Sequence, residues 1–118
     1  ILHMPAALVE KLKAQDMAPC EHVNLESVLP DTDVLYVTRV QRERFNNPSM
    51  YEHVRGSYVV TPEIMSSAKE RMILIHPLPR VDEISMELDS DPRSAYFRQM
   101  EYGMYVRMAL LALVLGKA

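Results

Sequence analysis

An apolar run in this chain, Met72-Ile73-Leu74-Ile75, leads directly into His76-Pro77-Leu78-Pro79-Arg80, with the acidic residues Asp82 and Glu83 just behind. Two prolines so closely spaced constrain the fold more than any other feature. Each fixes φ and removes a backbone donor, which forbids both a continuing helix and a central strand. The residue before each proline is also driven toward extended geometry. The segment is therefore predicted to be a buried strand that runs into a stiff, non-helical loop whose carbonyls lack intrahelical partners. Open α/β sheets place their ligands at the carboxyl ends of strands, so the loop is a candidate ligand site. From these residues alone, an ordinary proline-rich turn is an equal alternative.

At 118 residues, with 48% hydrophobic and 25% charged content, the chain suits one globular domain with a modest core. A net charge of -3 argues against a general polyanion binder, because proteins that track phosphates carry a basic surplus. The single cysteine, Cys20, excludes an internal disulfide and a multi-thiolate zinc site, and it fits a reducing compartment. No signal-peptide pattern is visible, and no apolar run is long enough to span a bilayer. Ile1 is not a natural start, and the chain is expected to be a piece of a longer protein.

Residues 5–15 read as a helix with proline in its first turn and Ala6, Val9 and Leu12 on one face. Alternation predicts a short strand over 21–25 and a helical turn over 26–29, before the breaker Pro30-Asp31-Thr32-Asp33. Val34 to Val37 reads as a strand apolar on both faces, the pattern of a covered parallel sheet. A turn at Asn46-Asn47-Pro48, a short helix over 49–53 and a strand over 57–60 follow. Thr61-Pro62-Glu63 is an N-cap signature, and its helix is expected to reach about Arg71. A last helical region begins at Ser90-Asp91-Pro92 and ends near Leu115, with a break or bend at Gly103. The expected architecture is α/β, a doubly wound parallel sheet of about four strands, with residues 1–103 as one domain and 104–118 as a C-terminal helix. Met104 to Leu115 is apolar on nearly all sides except at Arg107, and such a helix must be covered on most of its surface.

Three further strings stand out: Asp33-Val34-Leu35-Tyr36-Val37-Thr38-Arg39-Val40-Gln41-Arg42-Glu43-Arg44-Phe45, Ala95-Tyr96-Phe97-Arg98-Gln99, and Gly103-Met104-Tyr105-Val106-Arg107-Met108-Ala109-Leu110-Leu111. With the proline loop they resemble aspartate transcarbamoylase, and most closely the form that closes the multienzyme pyrimidine biosynthesis proteins of fungi and animals. Gln99-Met100-Glu101-Tyr102-Gly103 leans toward the fungal form. The resemblance runs from about Met4 to Gly116 with few gaps. It implies the aspartate-binding domain of an enzyme that moves a carbamoyl group from carbamoyl phosphate to L-aspartate, by positioning and electrostatic stabilisation and without metal or cofactor.

By the same resemblance, Arg39 clamps the side-chain carboxylate of aspartate and Gln41 helps orient it. The carbonyls of Pro77 and Leu78 accept hydrogen bonds from substrate nitrogens. Glu43 and Arg80 stand behind these as supporting residues. Without the resemblance, a surface ion pair is the better reading of Arg39. The carbamoyl-phosphate domain, the first strand and helix of the aspartate domain, and a further aspartate-binding arginine would lie before Ile1, so the chain is expected to hold half a site and to be inactive alone. The parent would be a cytoplasmic homotrimer, and the final helix would cross back onto its carbamoyl-phosphate domain. Ornithine transcarbamoylase is the enzymatic rival, but it typically carries His-Cys-Leu-Pro where this chain has Pro77. A non-catalytic interaction domain that uses the apolar C-terminal helix is the rival from another class. The two part on one observation: a site requires Arg39 and Leu78 to converge on one cleft.

Other candidates read more plainly. His76, His22 and His53 lack a second ligand at helical or hairpin spacing and read as structural. Glu87, Asp89 and Asp91 lack the glycine-bearing loop of a calcium site and read as a solvated helix start. Glu43 interrupts the Arg39, Arg42 and Arg44 series, which speaks against a nucleic-acid patch, and Met104, Tyr105 and Met108 read as core or interface. Arg107 is expected to find a buried partner, and 3 glycines leave no phosphate-cradling loop.

Overall fold

The computed structural model describes residues 3–57 and 59–117. Its centre is a parallel pair of strands, β1 (Val34–Tyr36) and β2 (Ile73–Ile75), in the register Val34 to Ile73, Leu35 to Leu74 and Tyr36 to Ile75. Backbone bonds extend the pairing at both ends, from the Ile73 N–H to the Asp33 carbonyl and from the Val37 N–H to the Ile75 carbonyl, each 2.9 Å. The helices are α1 (Ala6–Lys13), α2 (Pro48–Val54), α3 (Pro62–Met65) and α4 (Tyr96–Val114), of which α4 packs against β2. The α/β class with parallel pairing is as expected.

The sheet has two strands among the described residues, where about four were expected. Over 21–25 the chain makes no strand. Asn24 Oδ1 accepts from the Glu26 N–H at 2.8 Å, and this Asx turn competes with a ladder. Val23 of that stretch is fully exposed, while Leu25 packs against the core. The predicted strand over 57–60 includes Tyr58, outside the described residues; Val60 forms a single parallel bridge to Ile84. A second bridge sets Ser94 beside Leu74, so β2 is flanked on its far side by the chain that enters α4.

Local chemistry explains the helix boundaries. Asn47 caps α2 by accepting from the Ser49 N–H, and Thr61 caps α3 by accepting from the Ile64 N–H. The α3 helix ends at Met65 instead of reaching Arg71. Ser66 Oγ donates to the Glu63 carbonyl and Ser67 Oγ to the Ile64 carbonyl, which turns those carbonyls away from further helix. The last helix starts at Tyr96, later than Ser90, because Met86–Ser90 is a 3-10 turn and the Asp91 carboxylate holds Arg93. It then runs unbroken through Gly103, where a Cβ would meet Arg107 at 3.3 Å.

Leu29, Met65, Met72, Leu74, Leu88 and Tyr96 form the heart of one buried cluster. The outer side of the sheet is bare: Val34, Tyr36 and Ile73 are 52%, 53% and 44% exposed. The large apolar side chains from Met104 to Leu115 are likewise half or more exposed; Arg107 is exposed too and has no ion-pair partner among the described residues. No helix among the described residues is long and apolar enough to cross a membrane.

Candidate functional site

Parallel strands end at the same edge of a sheet, so the residues after β1 and after β2 are neighbours by construction. Val37 and His76, the first residues past each strand, are both buried. Beyond them the chains diverge around a cleft of about 900 Å³ lined by Arg39, Gln41, Phe45, Asn46, Pro77 and Leu78, among others. The structure thus brings Arg39, Gln41, Pro77 and Leu78 to one cleft. Arg80 and Glu43 are not among its lining residues.

A 3-10 turn over Arg42–Arg44, headed by Gln41, carries Glu43 back to Arg39. The guanidinium grips the carboxylate with both ends, NH2 to Oε1 at 2.5 Å and NH1 to Oε2 at 3.3 Å. The Glu43 backbone N–H and then the Arg39 guanidinium hold this carboxyl below its ordinary pKa. A guanidinium has five N–H donors, so the pair spends two and leaves three. Arg39 is 41% exposed and can offer those donors to a second carboxylate across the cleft.

The loop from 76 to 83 is organised from beneath. The His76 N–H donates to Gln99 Oε1 on α4 at 3.0 Å. The Leu78 N–H donates to His76 Nδ1 at 2.9 Å, and Nε2 of the same ring lies 2.7 Å from Glu83 Oε1. The other Glu83 oxygen accepts from the Val81 and Asp82 N–H groups, both at 3.1 Å. Burial works to raise the Glu83 carboxyl, but these hydrogen bonds prevail and its pKa lies below the ordinary value. Leu78 sits at φ +43°, in the left-handed region that a residue with a Cβ occupies at some cost, and a cis peptide joins it to Pro79.

Arg80 points away from the cleft. Its guanidinium pairs with both Asp89 oxygens, NH2 to Oδ2 at 2.7 Å, donates to the Tyr96 hydroxyl at 3.1 Å and lies 5.4 Å from that ring's centroid. The Tyr96 hydroxyl in turn donates to Asp89 at 2.5 Å. The loop is thereby tied to the first turn of α4. The expectation of a solvated helix start is corrected here, because Asp89 holds Arg80 and Asp91 holds Arg93. His53 Nδ1 lies 2.7 Å from the Ser49 carbonyl oxygen and His22 is exposed. No cluster of three metal-ligating side chains occurs among the described residues.

The Arg80 guanidinium, and then the Tyr96 hydroxyl, lower the Asp89 carboxyl from 3.8 to about 2. A depressed carboxylate contributes stability above its unfolded pKa and loses it as pH falls through the folded one. Asp89→Asn should therefore melt below the parent chain at neutral pH, with the gap shrinking as pH falls from about 4 to about 2. Allowing for screening at a side chain 37% exposed, the gap is on the order of 1 kcal/mol. Thermal melts across that acid range check it, and a constant gap would show that the pair carries no linked protonation.

Sequence reasoning passed over three groups of this site. Glu83 was visible only as one acidic residue after the loop. Gln99 lies 23 positions from the backbone group it holds. Asp89 reads as surface until Arg80 and Tyr96 are placed around it. None of these spacings has helical or strand periodicity, so no local signal marks them.

Residues 4–114 match the family model of the aspartate/ornithine carbamoyltransferase Asp/Orn binding domain. Over 115 residues the chain is 55% identical to Multifunctional protein pyr1-3 of Dictyostelium discoideum, covering 98% of this chain and 5% of that protein. The solved catalytic subunit of M. jannaschii aspartate transcarbamoylase is similar at 43% identity with a TM-score of 0.85, covering 99% of this chain and 38% of that one. Aspartate transcarbamoylase from Trypanosoma cruzi in complex with carbamoyl phosphate and aspartate is similar at 39% identity with a TM-score of 0.80, over 92% of this chain and 36% of that one. The chain spans well under half the length of these relatives. With nearly every described residue inside the matched span, the chain belongs to the Asp/Orn binding domain family of the aspartate/ornithine carbamoyltransferases.

Proposed function

We propose that this chain is the L-aspartate-binding part of an aspartate carbamoyltransferase, which makes N-carbamoyl-L-aspartate and phosphate for de novo pyrimidine biosynthesis. The carrying observation is the convergence of Arg39 and Leu78 on one cleft at the carboxyl edge of a parallel sheet. Arg39 takes the side-chain carboxylate of aspartate with the donors that Glu43 leaves free, and Gln41 orients the bound molecule. The carbonyls of Pro77 and Leu78 accept from substrate nitrogens, which aims the amine at the carbamoyl carbon. Arg80 supports the loop through Asp89 and Tyr96. Every role is positional or electrostatic, and the substrate amine itself is the nucleophile.

The phosphate-gripping half of the site belongs to a carbamoyl-phosphate domain. The bare apolar surface of α4 supports that reading, because so much exposed hydrocarbon is the mark of a surface that another domain covers. Residues 1–103 then form the aspartate side and 104–118 the helix that crosses to the second domain. The parent is a multidomain enzyme of the kind that Multifunctional protein pyr1-3 exemplifies, working in the cytoplasm as a homotrimer. Its amino-acid substrate is aspartate and not ornithine: Pro77 occupies the loop position where the ornithine enzymes typically carry cysteine, and an aspartate carbamoyltransferase catalytic subunit is 49% identical to this chain.

The 118 residues alone are expected to form no carbamoyl aspartate from carbamoyl phosphate and L-aspartate. The polypeptide that joins them to a carbamoyl-phosphate domain is expected to turn over L-aspartate and to leave L-ornithine untouched. Product formation assayed with each amino acid decides the matter. Turnover of ornithine, or full activity of the 118 residues by themselves, would overturn the assignment.

A further inference from the structure

The His76 and Glu83 side chains are 1% and 7% exposed, yet every hydrogen bond they make is spent on the loop between them. A buried carboxylate and imidazole are weak evidence for stability, since desolvation offsets most of their attraction. Their geometry, however, fixes a protonation pattern. The Leu78 N–H needs an acceptor, so Nδ1 of His76 must be bare. The proton of the neutral ring then sits on Nε2, where Glu83 Oε1 receives it at 2.7 Å. The other Glu83 oxygen is held by two backbone N–H donors, so the carboxylate cannot rotate away.

We infer that His76 and Glu83 are positioning residues for carbamoyl transfer: the Glu83 carboxylate locks the His76 ring as its Nε2–H tautomer, and the bare Nδ1 then holds the Leu78 peptide at the cleft. This inference rests on the reading of Leu78 as a backbone contact to substrate. Leu78 occupies a left-handed φ of +43° that its side chain disfavours, so the peptide needs a fixed partner to stay there. Neither ring nitrogen is free for the substrate, because one faces Leu78 and the other Glu83. His76 therefore acts through the loop and not as a base. Gln99 closes the frame by accepting the His76 N–H.

Glu83→Gln is the sharp variant because it keeps size and removes the charge. An amide has one acceptor oxygen and one donor nitrogen. If the oxygen serves Nε2–H, the amide nitrogen confronts the Val81 and Asp82 N–H groups. If the oxygen serves those groups, the amide donates to Nε2, the ring proton moves to Nδ1, and Nδ1–H confronts the Leu78 N–H. Either arrangement sets donor against donor.

The test uses the complete carbamoyltransferase polypeptide that carries this chain. Wild-type turnover of L-aspartate is measured first, and its absence would sink the functional reading itself. Given that turnover, Glu83→Gln is expected to lower kcat by about 10²-fold, the scale set by misplacing a positioned group, with KM for carbamoyl phosphate unchanged. His76→Phe is expected to match that loss. His76→Asn should recover about tenfold of it, because an asparagine oxygen can accept from the N–H two residues on. Imidazole nitrogen-15 shifts of wild-type His76 should report the Nε2–H tautomer, and this readout holds even where a variant fails to fold. An Nδ1–H tautomer in the wild type would overturn the inference. Equal kcat in wild type and folded Glu83→Gln, or equal losses in His76→Phe and His76→Asn, would do the same.

Discussion

Arg39→Ala, introduced into the complete enzyme, is expected to lower kcat/KM for aspartate roughly 10²- to 10⁴-fold. Removing one partner of a charge pair that the completed, substrate-filled site buries costs about 3–5 kcal/mol, and each ~1.4 kcal/mol is a factor of ten. The loss should be specific to the amino acid, leaving KM for carbamoyl phosphate near its parent value. Arg39→Lys keeps the charge but not the planar fork, so it should recover little of the loss. Glu43→Gln should cost about tenfold or less, since the fork keeps its place in the cleft while losing one anchor. Initial rates over a range of aspartate concentrations at saturating carbamoyl phosphate distinguish these cases. If Arg39→Ala stayed within about threefold of the parent, the residue would be a surface ion pair with Glu43 and nothing more.

The largest effect on stability is expected at Tyr96, whose ring is fully buried and ranks among the largest side chains of the core. Tyr96→Ala should cost about 3–5 kcal/mol, the range for emptying an aromatic from a packed interior. In a domain of this size about 1 kcal/mol moves the melting temperature by roughly 4–8 °C, so the variant should melt at least about 10 °C lower or fail to fold. Tyr96→Phe removes only the hydroxyl. Arg80 and Asp89 keep their own ion pair, and the cost should be about 1–2 kcal/mol. The ring also lies against Arg80 and, edge-on, against Phe97 at 4.8 Å, so the alanine variant should loosen the 76–83 loop as well. Thermal and denaturant unfolding of the two variants side by side separates ring from hydroxyl. A phenylalanine variant as damaged as the alanine one would place the stabilisation in the Arg80–Asp89–Tyr96 hydrogen bonds and not in packing.

Much of this fold was legible wherever one short stretch decides its own structure. The apolar runs Val34 to Val37 and Met72 to Ile75 supplied the two paired strands, and Asn47 and Thr61 capped the helices their sequence context announced. The errors came where a polar side chain bonded its own backbone. Asn24 closed a turn in a stretch whose alternation resembled a strand, and Ser66 and Ser67 stopped α3 after four residues. At Gly103 the helix continued because its neighbours carry it, and one flexible glycine costs only about 1 kcal/mol against alanine.

The candidate site divides along the same line. Arg39, Gln41, Pro77 and Leu78 could be named because strings of residues around them resemble a known family; their place just past apolar strands, by itself, left Arg39 a surface ion pair and the proline loop an ordinary turn. The sequence by itself determined those strand ends, the rigid proline loop and the supply of a carboxylate-binding fork. Only the tertiary structure decided that these two strands pair directly with each other, and in which register, which is what puts Arg39 and Leu78 at one cleft. It alone decided that Glu83 reaches His76, that Gln99 reaches the His76 N–H and that Asp89 and Tyr96 anchor Arg80. The reason is physical: a side chain's conformation is set by the groups that desolvate it, and those groups arrive from distant parts of the chain only when the core closes.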